Sequence, residues 1–412
     1  MTKSEVINFH HVGARAGSAL PALRMLGDEQ VIWLYDADAN CVDQVSDSSR
    51  KSPIPTKVRP FFIGYGSRFA DFHLNYDLFT SSSFPFNERL VGAYQATDSE
   101  NGDYVFSDAL ATVRRVTLKS ESLDDLAKAE DFSVDYLSMD VQGGELGVLR
   151  GAERILGQQC LAIATEINFE EFYQGQPRAD EIFAFCRQNG FRFMRLEPHQ
   201  GSSWFRGPIG WRGKGATFSG DALFYKDPQI VKATHQDPDL SLKKLAMIAL
   251  VGGYLEYCLE CLTLLDQGGW DRRRDQEVGF KYIKILCGLF EIYKEEEGIY
   301  LPSFSEIYSL EEANGRFQAD YSSVTKFDRA ALRKRYFSAT SLPKFKENFP
   351  KLCAPEPTRL EQYLVDNSLA RTAKIFHDCR IGHAQAAARL LGLTREQDGE
   401  DVIDLAGLDE LG

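Results

Sequence analysis

Residues 134–151 read VDYLSMDVQGGELGVLRG. An apolar run ends abruptly in Asp140, turns through Gly143 and Gly144, and resumes as an amphipathic helix beginning near Glu145. In open α/β sheets, chemistry collects at the carboxyl ends of strands, where loops and backbone polar groups face a crevice. An acid at a strand end, followed by a Gly-Gly turn, therefore places carboxylates where a ligand would lie.

Outward from this stretch, short apolar runs alternate with helical patterns from residue 6 to about residue 225. Core strands are expected at 6–12, 31–35, 61–64, 134–139, 161–167 and 191–196, with a last one at 222–225. Segments 69–76 and 113–118 read as extended. Helices are expected at 19–26, 39–45, 122–128, 145–156 and 179–189. The interval 46–60, rich in Ser, Pro and Lys, reads as an irregular connection. Repeated strand–helix–strand units imply an α/β fold with a mostly parallel sheet and helices on both faces. The glycine-rich interval 201–220 is long for a simple connection, and such loops are often functional.

Beyond Asp227 the pattern changes. Segments 240–265, 278–295, 327–336, 359–364 and 368–391 carry mostly helical periodicity, with no convincing strand. Two domains are therefore expected: an α/β domain over 1–227 and an all-α accessory or interaction region over 228–412 that ends in an acidic tail.

Composition narrows the function. The 412 residues carry a net charge of −13, which disfavours nucleic acid and anionic membrane as main partners. The N-terminus, MTKSEVINFH, lacks the apolar core of a signal peptide. The greasiest stretch, 245–265, is interrupted by Gly252, Gly253, Glu256 and Glu260, so it reads as buried helix and not as a membrane span. Cys258 and Cys261 form the one CxxC, inside a helical pattern and without a second ligand pair, so they read as core thiols. These features point to a reduced, cytoplasmic protein.

The first strand runs into Val12-Gly13-Ala14-Arg15-Ala16-Gly17, and a helix pattern follows. Gly13 would allow a sharp turn, and Gly17 a close approach by a ligand or by the helix start. Amides at a helix N-terminus would then face the ligand. The spacing G-x-x-x-G departs from the G-x-G-x-x-G of dinucleotide enzymes, which disfavours a pyrophosphate cradle. Asp36 ends the second strand, where an acid can accept hydrogen bonds from both ribose hydroxyls of an adenosine ligand.

With these elements placed, the chain resembles the FkbM methyltransferases, a branch of the class I S-adenosylmethionine-dependent enzymes. Three segments carry the resemblance: residues 12–17 with their strand, 116–126 (VTLKSESLDDL) and 134–151. Ser81-Ser82-Ser83 followed by Pro85-Phe86-Asn87 is similar to the family's serine-rich segment, and Asp108 suits the region between strand pairs. The match spans about residues 6–225, with the DVxGxE core its most specific part. The family usually places an acid two residues after the strand-terminal Asp, whereas this chain has Gln142. That departure puts a metal role, or any charge-dependent role, in question.

The resemblance implies a Rossmann-like methyltransferase sheet that binds S-adenosyl-L-methionine, with Gly13, Ala14, Arg15, Gly17, Asp36 and Asp108 as the cofactor-binding set. It implies methyl transfer to an acceptor, most often a hydroxyl, whose proton a nearby base removes. Candidate catalytic groups are Asp140, Glu145, Glu166 and His199, and no metal site is assigned. His11 sits beside the glycine turn, and His10 reads as a satisfied core residue. The stretch 204–212 (WFRGPIGWR) combines aromatics, arginines and glycines, either as an acceptor lid or as a hairpin packed on the helical region.

The leading expectation is O-methylation of a glycan, glycolipid or secondary metabolite. The competing one is a non-catalytic protein that keeps the cofactor fold and binds a partner, or a second copy of itself, through residues 228–412. A nicotinamide-dependent oxidoreductase is disfavoured by the glycine spacing.

Overall fold

The computed structural model describes residues 5–15, 29–50, 53–96, 102–206, 214–295, 342–397 and 400–410. The helices expected at 19–26 and 327–336, together with most of the 204–212 stretch, lie outside the described residues. The chain divides into two compact units, Met1–Leu286 and Cys287–Gly412.

The first unit begins with β1 (Ile7–Val12), β2 (Gln30–Tyr35), α1 (Ala39–Ser49), β3 (Thr56–Arg59), β4 (Phe62–Ile63) and β5 (Arg68–Asn75). There follow β6 (Tyr94–Gln95), β7 (Tyr104–Val105), α2 (Phe106–Ala109), β8 (Thr112–Glu121), α3 (Leu123–Glu130) and β9 (Tyr136–Met139). Next come α4 (Glu145–Arg150), α5 (Glu153–Gln158), β10 (Ala162–Asn168), α6 (Ala179–Gln188), β11 (Phe191–Pro198), β12 (Ser202–Ser203) and β13 (Ser219–Lys226). Helices α7 (Pro228–Thr234), α8 (Pro238–Val251), α9 (Leu255–Gln267) and α10 (Arg272–Glu277) close it.

Seven strands form one sheet in the order β11-β13-β10-β9-β1-β2-β3. All neighbours pair parallel except β13, which runs antiparallel between β10 and β11. From β3 to β10 this is the 3-2-1-4-5 succession of a doubly wound sheet, with the chain reversing direction between β1 and β9. The expected Rossmann-like sheet is present. Its core joins Val12, Leu137, Met139, Ile163 and Phe224 from the strands with Leu149, Ile155 and Ile182 from the helices.

Several expectations need correction. The strand beside β2 is β3, inside the interval read as irregular, whereas Phe62–Ile63 leaves the main sheet. It pairs with β8 in a separate three-stranded sheet, β4-β8-β5, inserted between β3 and α3. The helix expected at 145–156 breaks into α4 and α5 at Gly151, which lies so close to Gly64 that a Cβ there would collide with the Gly64 carbonyl. The 240–265 helix breaks at Gly252-Gly253, where Gly253 takes a φ of +85° that favours glycine.

The expected boundary after residue 227 falls inside the first unit, because the following helices are bolted to the sheet. Lys244 Nζ on α8 lies 2.9 Å from Asp135 Oδ2, and both side chains are buried. Asp135 Oδ2 also accepts the Asn8 backbone N–H at 2.7 Å, which ties α8 to β1. Arg192 on β11 bridges Asp227 at 2.8 Å and Glu260 of α9 at 2.9 Å. Cys258 and Cys261 are buried in α9, and burial pushes both thiols up, as suits core residues.

In the second unit, helices Leu342–Cys353, Arg359–Asp366 and Ala370–Leu391 are joined by a short antiparallel hairpin, Thr394–Gln397 with Glu400–Ile403. The residues expected as an acidic tail thus contain a strand, and Leu408 is buried beside Phe345, Phe349 and Ala384. Among the described residues no helix is long and apolar enough to cross a membrane.

Candidate active site

A cavity of about 450 Å³ opens at the carboxyl ends of β1, β2 and β9, where the strand order reverses. It is lined by Gly13, Arg15, Asp36 and Asp38 and by Asp140, Val141 and Gln142. The inserted sheet supplies the remaining wall through Phe62, Phe72, Leu74, Val116 and Leu118, with Leu78 and Phe79 beside them. Alternation along β5 and β8 puts these apolar side chains on one face, a pattern the sequence shows only as two unremarkable extended segments.

The glycine turn is used differently from the expectation. The N–H groups of Gly13 and Ala14 both donate to the Tyr35 carbonyl at 3.0 Å, which locks β1 to β2 and leaves neither aimed at a ligand. Gly13 has a φ of +88°, and a Cβ there would collide with the Asp140 carbonyl oxygen. The Asp140 N–H in turn donates to the Val12 carbonyl at 3.0 Å. The two strand ends therefore meet backbone to backbone. Ala14 is buried, and Arg15 pairs with Asp38 at 2.9 Å. Asp36 Oδ1 accepts the Asp38 N–H at 2.8 Å, shaping the loop after β2.

Beyond this joint, carboxylate oxygens of Asp140, Glu145 and Glu166 lie within 4.8 Å of one another. Glu145, the first residue of α4, is buried and accepts the N–H groups of Val141 and Gly143 through Oε1. Burial, with the Asp140 charge added, pushes its carboxyl up to about 7. Burial also raises Asp140, although its side chain is open to the cavity. Glu166 is pushed well above the usual carboxylate range, by burial and then by the charges of Asp140 and Glu145. Like charges this close cannot all ionise, so the cluster retains a proton at neutral pH.

Gln142 joins this group. Its Nε2 donates to Asp140 Oδ1 at 2.6 Å and to Glu166 Oε2 at 3.2 Å. The Tyr173 hydroxyl lies 2.9 Å from Gln142 Oε1 and 2.7 Å from the Thr80 carbonyl, sharing one proton between two acceptors. Tyr173 and Ser82, whose Oγ donates to the Gln142 carbonyl at 2.6 Å, were not among the expected site residues. Ser82 belongs to the serine-rich segment, the one signal that pointed toward it; Tyr173 had none.

His199 lies 3.9 Å from Glu166, with Nε2 3.2 Å from Asp221 and Nδ1 2.8 Å from Ser219 Oγ. The Asp221 hydrogen bond raises its pKa, which favours an imidazolium balancing the carboxylates over a neutral base. His11 lines the cavity and bonds Ser138 at 3.0 Å, and desolvation lowers it to about 4. His10 is buried, stacks on Trp33 and bonds Tyr35. Asp108 is exposed on α2 and does not line the cavity, and Gly17 lies outside the described residues.

Residues 11–193, which supply nearly all of this cavity and cluster, match the family model of the methyltransferase FkbM domain. Over those residues the chain is similar to the FkbM methyltransferases. Among solved structures, similar ones include methyltransferase FkbM from Methylobacillus flagellatus KT, at 14% identity and a TM-score of 0.29. That alignment covers 54% of this chain and 44% of that one. Magnesium protoporphyrin IX methyltransferase from Synechocystis PCC 6803, solved with bound SAM, aligns at 9% identity and a TM-score of 0.28, covering 54% and 72%. A SAM-dependent methyltransferase from Aquifex aeolicus aligns at 13% identity and a TM-score of 0.24, covering 53% and 81%. No curated protein matches the chain. Within the matched residues, the DVxGxE core is the turn that brings Asp140, Gln142 and Glu145 together, and Glu166 reaches it from the adjacent strand β10.

Proposed function

We propose that the FkbM-like domain moves the methyl group of S-adenosyl-L-methionine to a hydroxyl of a glycan, glycolipid or secondary metabolite. One observation carries the reading: a single cavity is lined both by the loop after β2 and by Asp140, the member of the carboxylate cluster at the end of β9. The residues suit the cofactor. Asp36, half-buried at a strand end, offers carboxylate oxygens to ribose hydroxyls, while Phe61, Phe62 and Ile63 offer apolar faces to a purine. Glycine at position 13 answers to the Asp140 backbone, and Ala14 is enclosed in the same turn.

When bound, the cofactor supplies an electrophilic methyl group. The chain's task is to line up an acceptor oxygen and take its proton. Asp140 is open to the cavity and is the group placed to accept that proton. Alignment of this kind can lower a barrier by several kcal/mol. The mainly apolar wall of β5 and β8 would seat the body of the acceptor. The described cysteines are free thiols, which supports a reducing compartment such as the cytoplasm. Residues 228–412 are the proposed surface for a partner or a second copy.

Calorimetric titration with S-adenosylhomocysteine tests the first half, and release of that product in the presence of glycan and lipid extracts tests the second. Asp36→Ala is expected to weaken cofactor binding about tenfold, in line with the loss of a charge-assisted hydrogen bond. Asp140→Ala is expected to cut turnover about a hundredfold with little change in binding. Equal losses of both in Asp140→Ala would reassign that residue to the cofactor. Tight cofactor binding with no acceptor methylated would favour the non-catalytic binding module, and binding of NADH in place of S-adenosylhomocysteine would overturn the methyltransferase reading.

A further inference from the structure

Three acids within 4.8 Å of one another are a costly arrangement unless something positive or proton-donating lies between them. Besides the proton that the cluster retains, two further solutions are open to a protein: a divalent cation, which takes carboxylate oxygens readily, or hydrogen-bond donors of its own. In this chain the Gln142 side chain reaches into the gap between Asp140 and Glu166. Its Nε2 contacts Asp140 at 2.6 Å and Glu166 at 3.2 Å.

The orientation of that amide follows from its neighbours. Turned the other way, Gln142 Oε1 would face two carboxyl groups that hold too few protons to satisfy three acceptors. As placed, each N–H of the amide has a carboxylate acceptor, and Oε1 faces the Tyr173 hydroxyl. The backbone is committed too. Gln142 has a φ of +53°, uncommon for a residue with a side chain, and its carbonyl is held by Ser82 Oγ. The side chain is thus fixed from both ends.

We propose that Gln142 takes the place of a divalent cation in this site, its amide clamping Asp140 to Glu166 and barring a metal ion from the carboxylate cluster. It is a positioning residue: its amide holds the proton-accepting carboxylate at the cavity edge. This deepens the methyltransferase reading of the same site and assigns the reaction to the class that needs no metal ion.

Thermal unfolding of the full-length protein, in millimolar Mn²⁺ against EDTA, provides the test, with Mn²⁺ electron spin resonance to count bound ions. The wild-type protein is expected to melt at the same temperature in both. Gln142→Glu adds a fourth carboxylate where the amide donors stood, and Mn²⁺ should raise its melting temperature by about 5 °C. Gln142→Ala, which vacates the space, should gain a smaller response, and adding Glu166→Gln to either variant should abolish it. Should Gln142→Glu not fold, Gln142→Ala against wild type carries the comparison. A wild-type response that Glu166→Gln removes would overturn the proposal, as would absence of any response in both variants. Titration of the same samples with S-adenosylhomocysteine keeps the two readings apart. Wild-type protein that binds no S-adenosylhomocysteine ends the functional assignment, while the Mn²⁺ comparison stands or falls by itself.

Discussion

Glu145 is held in a position that favours its protonated form, which has a consequence for stability. Its folded-state pKa of about 7 lies above the ordinary 4.5. The folded state therefore binds a proton more tightly than the unfolded chain does. That contribution is complete below the unfolded value and is lost as pH rises through the folded one. Stability should fall between about pH 5 and pH 8. Glu145→Gln keeps an acceptor oxygen for the Val141 and Gly143 N–H groups and should flatten the slope. At pH 8 we expect the variant to be more stable than wild type by about 2 kcal/mol, with little difference at pH 5. Parallel melting curves at both pH values would refute this. Gly13→Ala is the opposite case. It needs a left-handed backbone and drives a methyl group into a carbonyl oxygen, so a loss above about 3 kcal/mol is expected. Denaturant midpoints give the value, and an unchanged midpoint would mean the turn relaxes away from Asp140.

Among the elements, the strands buried on both faces were legible because they must be apolar. Strands β1, β2, β9 and β10 appear in the sequence as runs of Val, Ile, Leu and aromatic residues. Strand β3 was not, for a physical reason. It is an edge strand that pairs only with β2, and its TKVR sequence needs one apolar residue. Lys57 and Arg59 spread over the Trp33 ring, with Lys57 Nζ 3.9 Å from its centroid, so charged residues cover an aromatic that an apolar strand would otherwise bury. The candidate site divides the same way. Asp140, Glu145 and Glu166 could be read as acids at strand ends, but Tyr173 and Ser82 act through contacts between distant segments that carry no local signature. Helix α8 makes such a contact measurable. Lys244→Met leaves the Asp135 carboxylate buried without its cation, and a loss of about 3 kcal/mol is expected in chemical denaturation. The double change Lys244→Met with Asp135→Asn should cost less than that single change. A cost near zero for Lys244→Met would show that α8 adds little to the sheet.

For the whole molecule, the division after Leu286 predicts where the chain can be cut. A protein ending at residue 227 loses Lys244, the buried cation paired with Asp135, and Glu260, one of the two acids that Arg192 bridges. It should lack a cooperative melt, whereas one ending near residue 286 should keep it. A cooperative melt for the shorter protein, equal to that of the longer, would show the helices to be dispensable. The abutment of Gly13 against Asp140 has a further consequence, for how such a protein can diversify. The two turns that meet there share a backbone contact, so neither can accept an insertion or a bulkier residue without displacing the other. Phe72, Leu74, Val116 and Leu118 are under no such constraint: they are half-exposed and belong to a sheet with its own hydrogen bonds. New acceptor preferences should therefore arise on β5 and β8. In a mutational scan, substitutions at those four positions should leave folding and S-adenosylhomocysteine binding intact far more often than substitutions at Gly13.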